Sequence, residues 1–214
     1  MRKYLDPSAR ISELLFGLIM TLTFTLGAGL VIEEGPDATK ELLIGVIGCN
    51  IAWGIIDGIL YIMGCMYDRG APFRAAQCLK KRGRDTACTA LDDSIEENYG
   101  GALSAETKQA VRSELIDHLA TFEPARVRMT RDDFMGAFAS FLLVAATAVP
   151  AVLPFLFIDN LMVALRVSNF ILIALLYGIG YSWASYINAN RQRVGLSMAL
   201  GGLVIVQLTI MLGG

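Results

Sequence analysis

LLIGVIGCNIAWGIIDGILYIMGC, residues 42–65, is an almost unbroken apolar run with one carboxylate, Asp57, in its middle. A helix needs about 20 mostly apolar residues to cross a bilayer core, and this run suffices. A carboxylate in hydrocarbon is costly and persists only where it faces other protein, water or a ligand. Asp57 is therefore a site hypothesis from the outset. Asn50, Gly54 and Gly58 share or border its face, and Met20 lies in the apolar run before it, so a metal-ion path between two helices is the reading these residues suggest.

The rest of the chain has the same character. Of 214 residues 55% are hydrophobic, and the mean hydropathy is +0.54, too apolar for an ordinary soluble domain. Five stretches are long enough to span: Ile11–Ile32, Leu42–Tyr67, Phe134–Ile158, Leu161–Ile187 and Val194–Leu212. The expected fold is an all-α polytopic membrane protein. It has transmembrane helices one and two in residues 1–67, a helical cytosolic insert in 68–133, and helices three to five in 134–214. The first span is too long for the apolar region of a cleavable signal and lacks a small-residue cleavage site, so it reads as a true span. Within the spans only Glu13, Asp57 and Arg166 are ionisable carboxylates or cations. Arg166 is near enough to a span end to snorkel to the interface.

Lys and Arg cluster on one set of flanks. Arg2, Lys3 and Arg10 precede span one. Arg69, Arg74, Lys80, Lys81, Arg82 and Arg84 follow span two, Arg126, Arg128 and Arg131 precede span three, and Arg191 and Arg193 join spans four and five. The other connections hold Glu33, Glu34, Asp37, Lys40 and Glu41, and Asp159-Asn160. This asymmetry puts the N-terminus in the cytoplasm and the C-terminus outside, and a bacterial inner membrane is the expected location. The basic cluster at Lys80–Arg84 either touches anionic lipid or simply obeys the positive-inside rule. Cys49 and Cys65 lie in span two, Cys78 and Cys88 in the insert, and reduced cytosolic thiols form no structural disulfide.

A long insert needs structure of its own. Its best helix runs from a Ser104 cap to about Phe122, with Val111, Leu115, Leu119 and Phe122 on one face. A shorter segment, Leu91 to Tyr99, aligns Leu91, Ile95 and Tyr99. Gly100-Gly101 separates the two, and Glu123-Pro124 ends the second. Small residues recur at the spacing that lets helices meet closely: Gly54 and Gly58; Gly136 and Ser140; Ala174, Gly178 and Ser182; Ser197 and Gly201. Pro150 and Pro154 should bend or end span three near its outer end.

On span one, Glu13, Gly17, Met20, Phe24 and Gly27 share a face, and on span two so do Asn50, Gly54, Asp57 and Tyr61. Counting along antiparallel helices sets Met20 level with Asp57, with Glu13 nearer the cytosolic mouth. Asp57, Met20 and Asn50 then offer a carboxylate, a thioether and an amide oxygen to a divalent first-row metal. Met20 is otherwise a packing residue, Asn50 a bridge between helices, and Glu13 an interface-lining acid. In the insert, Asp92, Asp93, Glu96 and Glu97 either gather cations or form a solvated face. Glu114 and His118, at i and i+4, either bind metal or flank a packing face. No nucleophile elbow, phosphate loop, zinc cysteine pair or haem motif is present, so the chain reads as a non-enzyme with no tightly bound cofactor and no nucleic-acid partner.

At several of these places the chain resembles the vacuolar iron transporter family. Arg10-x-x-Glu13-x-x-Phe16-Gly17 resembles the opening of its span one, and Asn50-Ile-Ala52-Trp-Gly54 its span-two core. Ser140-Phe141 and Pro150-Ala-Val-Leu-Pro154-Phe155 resemble span three, and Gly195 through Gly213 the last span. Glu96-Glu97-Asn-Tyr99 with Leu103-Ser104 resembles the cytosolic metal-binding helices. The family usually has an Asp-Gly pair where Met20 and Thr21 stand, and a Ser-Met pair around Asp57-Gly58, so acid and thioether have exchanged helices in what looks like a divergent branch. The resemblance implies a homodimer that exports divalent metal, Fe²⁺ or Mn²⁺, along an interface lined by spans one and two. Proton exchange at Asp57 would supply the coupling. The rival is a membrane metal sensor or scaffold that keeps the fold without the pathway.

Overall fold

The computed structural model describes residues 4–31, 37–123 and 126–212, and within them not the side chains at 28–31, 82, 84–86 and 90. Arg2, Lys3, Glu33, Glu34, Pro124 and Gly213, and the side chains of Arg82 and Arg84, therefore lie outside the described residues. Among the described residues the regular structure is helical, without strands: α1 (Pro7–Val31), α2 (Ala38–Arg69), α3 (Ala71–Tyr99), α4 (Ala105–Thr121), α5 (Arg131–Ala146), α6 (Ala148–Phe157), α7 (Leu161–Trp183) and α8 (Arg191–Met211). Five helical stretches are long and apolar enough to cross a membrane, with α5 and α6 forming one of them. The chain divides into two compact units, residues 1–62 with 130–214, and residues 63–129. The division falls inside α2, which runs unbroken from Ala38 to Arg69.

In the first unit α1 packs against α5, α6, α7 and α8, and α7 lies along α8. Leu18 and Leu22 of α1, Ala151 of α6, Leu172 and Leu176 of α7 and Val206 of α8 form one core cluster. A second joins Leu42 and Val46 of α2 to Ala148 and Leu165. Lipid is as apolar as these side chains, so close van der Waals packing holds such clusters rather than escape from water. Helix starts are fixed by side-chain caps. Thr130 and Asp133 form a reciprocal capping box at α5, and Asn160 and Asn190 accept from the Val163 and Arg193 amides at α7 and α8.

Span three differs from expectation. Its interruption is at Thr147, between α5 and α6, a turn before Pro150. Pro150 has no N–H for the carbonyl four residues back and its ring crowds that carbonyl, so the helix breaks on the N-terminal side of the proline. Pro154 is accommodated inside α6.

The small-residue stripes divide in two. Gly54, Gly58, Gly136 and Ser140 are buried as their spacing suggested. A Cβ on Gly54 would stand 3.0 Å from the Phe141 carbonyl oxygen, and one on Gly58 would stand 3.1 Å from that of Ala137. These glycines seat α2 on α5 of the same chain, so their spacing gives no argument for a contact between copies. In spans four and five the stripe is offset. Ala174, Gly178, Ser182, Ser197 and Gly201 are exposed, while Gly180, Gly195 and Gly202 meet the neighbouring helix.

In the second unit α3 reaches back to Ala71, well before Leu91, and is interrupted at Gly83, whose φ of 83° favours glycine. Ser104 caps α4 by accepting from the Thr107 amide at 3.2 Å. The packing face of α4 is rotated from the expected one. Ile116 and Leu119 are buried, Val111 and Phe122 half-buried, and Leu115 is 38% exposed. All four cysteines are unbonded.

Candidate intramembrane site

Asn50 fixes the register of α1 against α2. It is 1% exposed, and its Nδ2 donates to Thr21 Oγ1 at 2.8 Å, to Thr147 Oγ1 at 2.9 Å and, more weakly, to the Val144 carbonyl at 3.3 Å. Each threonine hydroxyl spends its own proton on a backbone carbonyl, Thr21 on Gly17 at 2.7 Å and Thr147 on Val144 at 2.6 Å. Both therefore act as acceptors toward the amide. One side chain thus ties α1 and α2 to the break in span three. Gly17 permits this approach, since a Cβ there would fall inside the Thr147 side chain. Asn50 Oδ1 is buried with no hydrogen-bond partner among the described residues. Asn50→Ala removes two interhelical donors and leaves a small void, so thermal unfolding in detergent should show a loss of roughly 1–3 kcal/mol.

From this anchor the depth of every other candidate follows. Glu13 is about two turns back along α1 from Thr21, and Asp57 about two turns on along α2 from Asn50. The helices are antiparallel, so the two acids fall at one level, and their carboxyl groups interact directly. Ser140 of α5 donates to Glu13 Oε1 at 2.8 Å. Asp57 Oδ2 is buried and has no hydrogen-bond partner among the described residues.

Asp57 is thus paired with Glu13, whereas counting from the ends of the apolar runs set it level with Met20. The correction comes from the helix ends. α1 begins at Pro7, before its apolar run, and α2 continues to Arg69, beyond its own. Met20 instead stands at the level of the Asn50 cluster, next to Thr21. Asn50 serves as the helix bridge, with its two amide hydrogens committed. Ser140 is the member that sequence reasoning did not assign to the site, although its small-residue stripe with Gly136 was visible.

The α1 face continues beyond this level. Thr25 Oγ1 contacts Asn169 Oδ1 of α7 at 2.6 Å. Glu13, Gly17, Thr21 and Thr25 therefore form a polar seam running about 18 Å along the helix.

In the 63–129 unit the acidic cluster is partly spent. Asp92 pairs with Arg112 at 2.6 Å, and Glu96 pairs with Lys108. Asp93, Glu97, Glu114 and His118 are exposed, and the His118 ring tilts against Phe122 at 6.2 Å. Among the described residues no three His, Cys, Asp or Glu side chains converge on one point. The intramembrane pair is the arrangement with the clearest chemical consequence. Both acids are half-buried within membrane-spanning helices, and two carboxylates in contact there repel unless a proton or a cation lies between them.

The model of the VIT family matches residues 92–214. That is more than half of the chain. The chain belongs to the VIT family. No curated protein matches the sequence. Membership fixes the functional class of this integral membrane protein as metal-ion transport across a membrane. The matched region takes in the end of α3, α4 and spans three to five. Glu13, Asp57 and Asn50 lie outside it, in spans one and two, where Met20-Thr21 and Asp57-Gly58 depart from the pattern the resemblance describes.

Proposed function

We propose that this VIT-family protein exports Fe²⁺ or Mn²⁺ from the cytosol in exchange for protons, with Glu13 and Asp57 as the intramembrane cation site. The observation that carries this is the direct pairing of two acids from antiparallel spans, with one carboxylate oxygen left buried and unpartnered. One divalent cation or two protons neutralise such a pair equally well, and an exchanger requires that equivalence. The Lys and Arg bias of the flanks supports a cytoplasmic N-terminus and an outer C-terminus, and a bacterial inner membrane is the location that goes with this proposal.

A homodimer with spans one and two near its axis is part of the proposal. α2 exposes Ile51, Trp53, Ile55 and Ile59 on the sides that α5 does not cover, and each copy then brings its own acid pair close to the axis. The acids and His118 of the insert serve as a cytosolic collecting surface, with Asp93, Glu97 and Glu114 unburied and accessible to ions.

The rival reading, a sensor or scaffold without transport, draws on Met20 and Thr21, where a polar lock stands in place of an acid. Flux decides between them. Purified protein in liposomes should move Mn²⁺ or Fe²⁺ into the lumen down a gradient, alkalinise the lumen in step as protons leave in exchange, and respond to an imposed proton gradient. Metal binding without metal movement would favour the sensor.

A further inference from the structure

We infer that Ser140, and not Met20, completes the intramembrane site, and that the resulting all-oxygen donor set makes the protein select hard divalent cations of the Mn²⁺ type over thiophilic ones such as Cd²⁺ and Zn²⁺. The inference rests on the transport reading of the Glu13–Asp57 pair and adds the residue that sets its specificity.

Two independent contacts put Ser140 at the right depth. Its fully buried hydroxyl donates to Glu13 Oε1 at 2.8 Å. On α2, Gly54 lies one turn before Asp57 and Gly58 directly after it, and they rest on Phe141 and Ala137 of α5, the residue directly after Ser140 and the residue one turn before it. Glu13, Asp57 and Ser140 therefore converge from three helices. The Ser140 hydroxyl holds one Glu13 oxygen in place and keeps its own lone pairs as neutral oxygen donors.

The sulfur atoms stand elsewhere. Met20 is about two turns beyond Glu13 on α1, near 10 Å along the axis. Side chains of one helix all lean toward its N-terminus, so the offset between Met20 and Glu13 persists out to their tips. Cys49 and Cys65 of α2 are each about 12 Å from Asp57 along the helix, on opposite sides. Met63 and Met135 are exposed side chains. A second copy related by an axis along the membrane normal would add its Met20 at the same wrong depth. Carboxylate and hydroxyl oxygens suit Mg²⁺, Ca²⁺ and Mn²⁺, whereas a thioether or thiolate shifts preference toward softer ions.

Two conservative variants test this in the full chain. Ser140→Cys brings sulfur to the site with little change of volume, and Met20→Leu removes the thioether. Flux of Mn²⁺ and of Cd²⁺ into liposomes is measured separately. The absorption spectrum of Co²⁺ added to the protein in detergent reports the donor atoms without any transport. Wild-type protein should give a weak oxygen-ligand Co²⁺ spectrum and favour Mn²⁺. Ser140→Cys should gain a thiolate-to-Co²⁺ charge-transfer band and lower the Mn²⁺/Cd²⁺ flux ratio by about tenfold. Met20→Leu should change neither. The inference is overturned if Met20→Leu shifts the ratio or the spectrum, or if Ser140→Cys that remains monodisperse in detergent shifts neither. If wild-type protein moves no metal, the transport reading fails, and the Co²⁺ spectra still decide which residues make the site.

Discussion

Asp57→Asn should abolish metal flux and leave the fold intact. Asparagine has the shape of aspartate, and Asp57 Oδ2 has no hydrogen-bond partner among the described residues to lose. The amide can still meet the Glu13 carboxylate, so packing around Gly54 and Gly58 is undisturbed. What disappears is the second negative charge. Glu13 alone can balance neither a dication nor two protons, so the exchange has nothing to alternate between. Loss of a supporting partner around a bound metal costs about 10–100-fold in affinity or activity, and loss of a ligand charge should exceed that, giving at least about a 100-fold drop in Mn²⁺ flux. The measurement is metal uptake by liposomes with and without a proton gradient, beside thermal unfolding of the same preparation in detergent. Wild-type flux in this variant would reduce Asp57 to a structural residue.

A loss of stability is also expected at a glycine far from that site. A Cβ on Gly180 of α7 would lie 2.6 Å from Met198 Cβ and 2.9 Å from the Val194 carbonyl oxygen of α8, with Gly195 Cα at 3.0 Å. None of these is the far end of a flexible side chain, so α7 and α8 must separate to admit a methyl group. Overpacking of this kind costs about 1–3 kcal/mol, and Gly180→Ala should lower the unfolding temperature accordingly. Gly178→Ala provides the comparison within the same helix. Nothing lies within 4 Å of a Cβ there, and alanine is a better helix former than glycine by about 1 kcal/mol in water. That variant should match or slightly exceed wild type. Equal losses from both substitutions would mean that α7 and α8 pack on a different face.

These two outcomes separate what composition and spacing reveal from what they leave open. The five spans, the insert between the second and third, the Ser104 cap and the special status of Asp57 are all legible in the chain. Each depends on local physics: the length of an apolar run, a side chain next to its own backbone, or the cost of a charge in hydrocarbon. The burial of Gly54 and Gly58 is legible too, because Asp57 between them can only face protein. Facing was not legible where polar landmarks were missing. In spans four and five Gly178 and Gly201 have the same helical spacing as the glycines that pack, and only the neighbour's position distinguishes Gly180 and Gly202.

Register is the deepest of these decisions. The sequence by itself determined that two antiparallel spans carry Glu13, Met20, Asn50 and Asp57 on facing stripes. It could not determine their relative height, because the ends of an apolar run need not coincide with the ends of a helix. The tertiary structure decided that height through one buried amide. Asn50 must place its two hydrogens on acceptors away from water, and Thr21 and Thr147 are where it finds them. That choice brings Asp57 to the level of Glu13, which Ser140 contacts, and leaves Met20 about two turns away, so the proposed cation site draws on oxygen donors and not on the thioether.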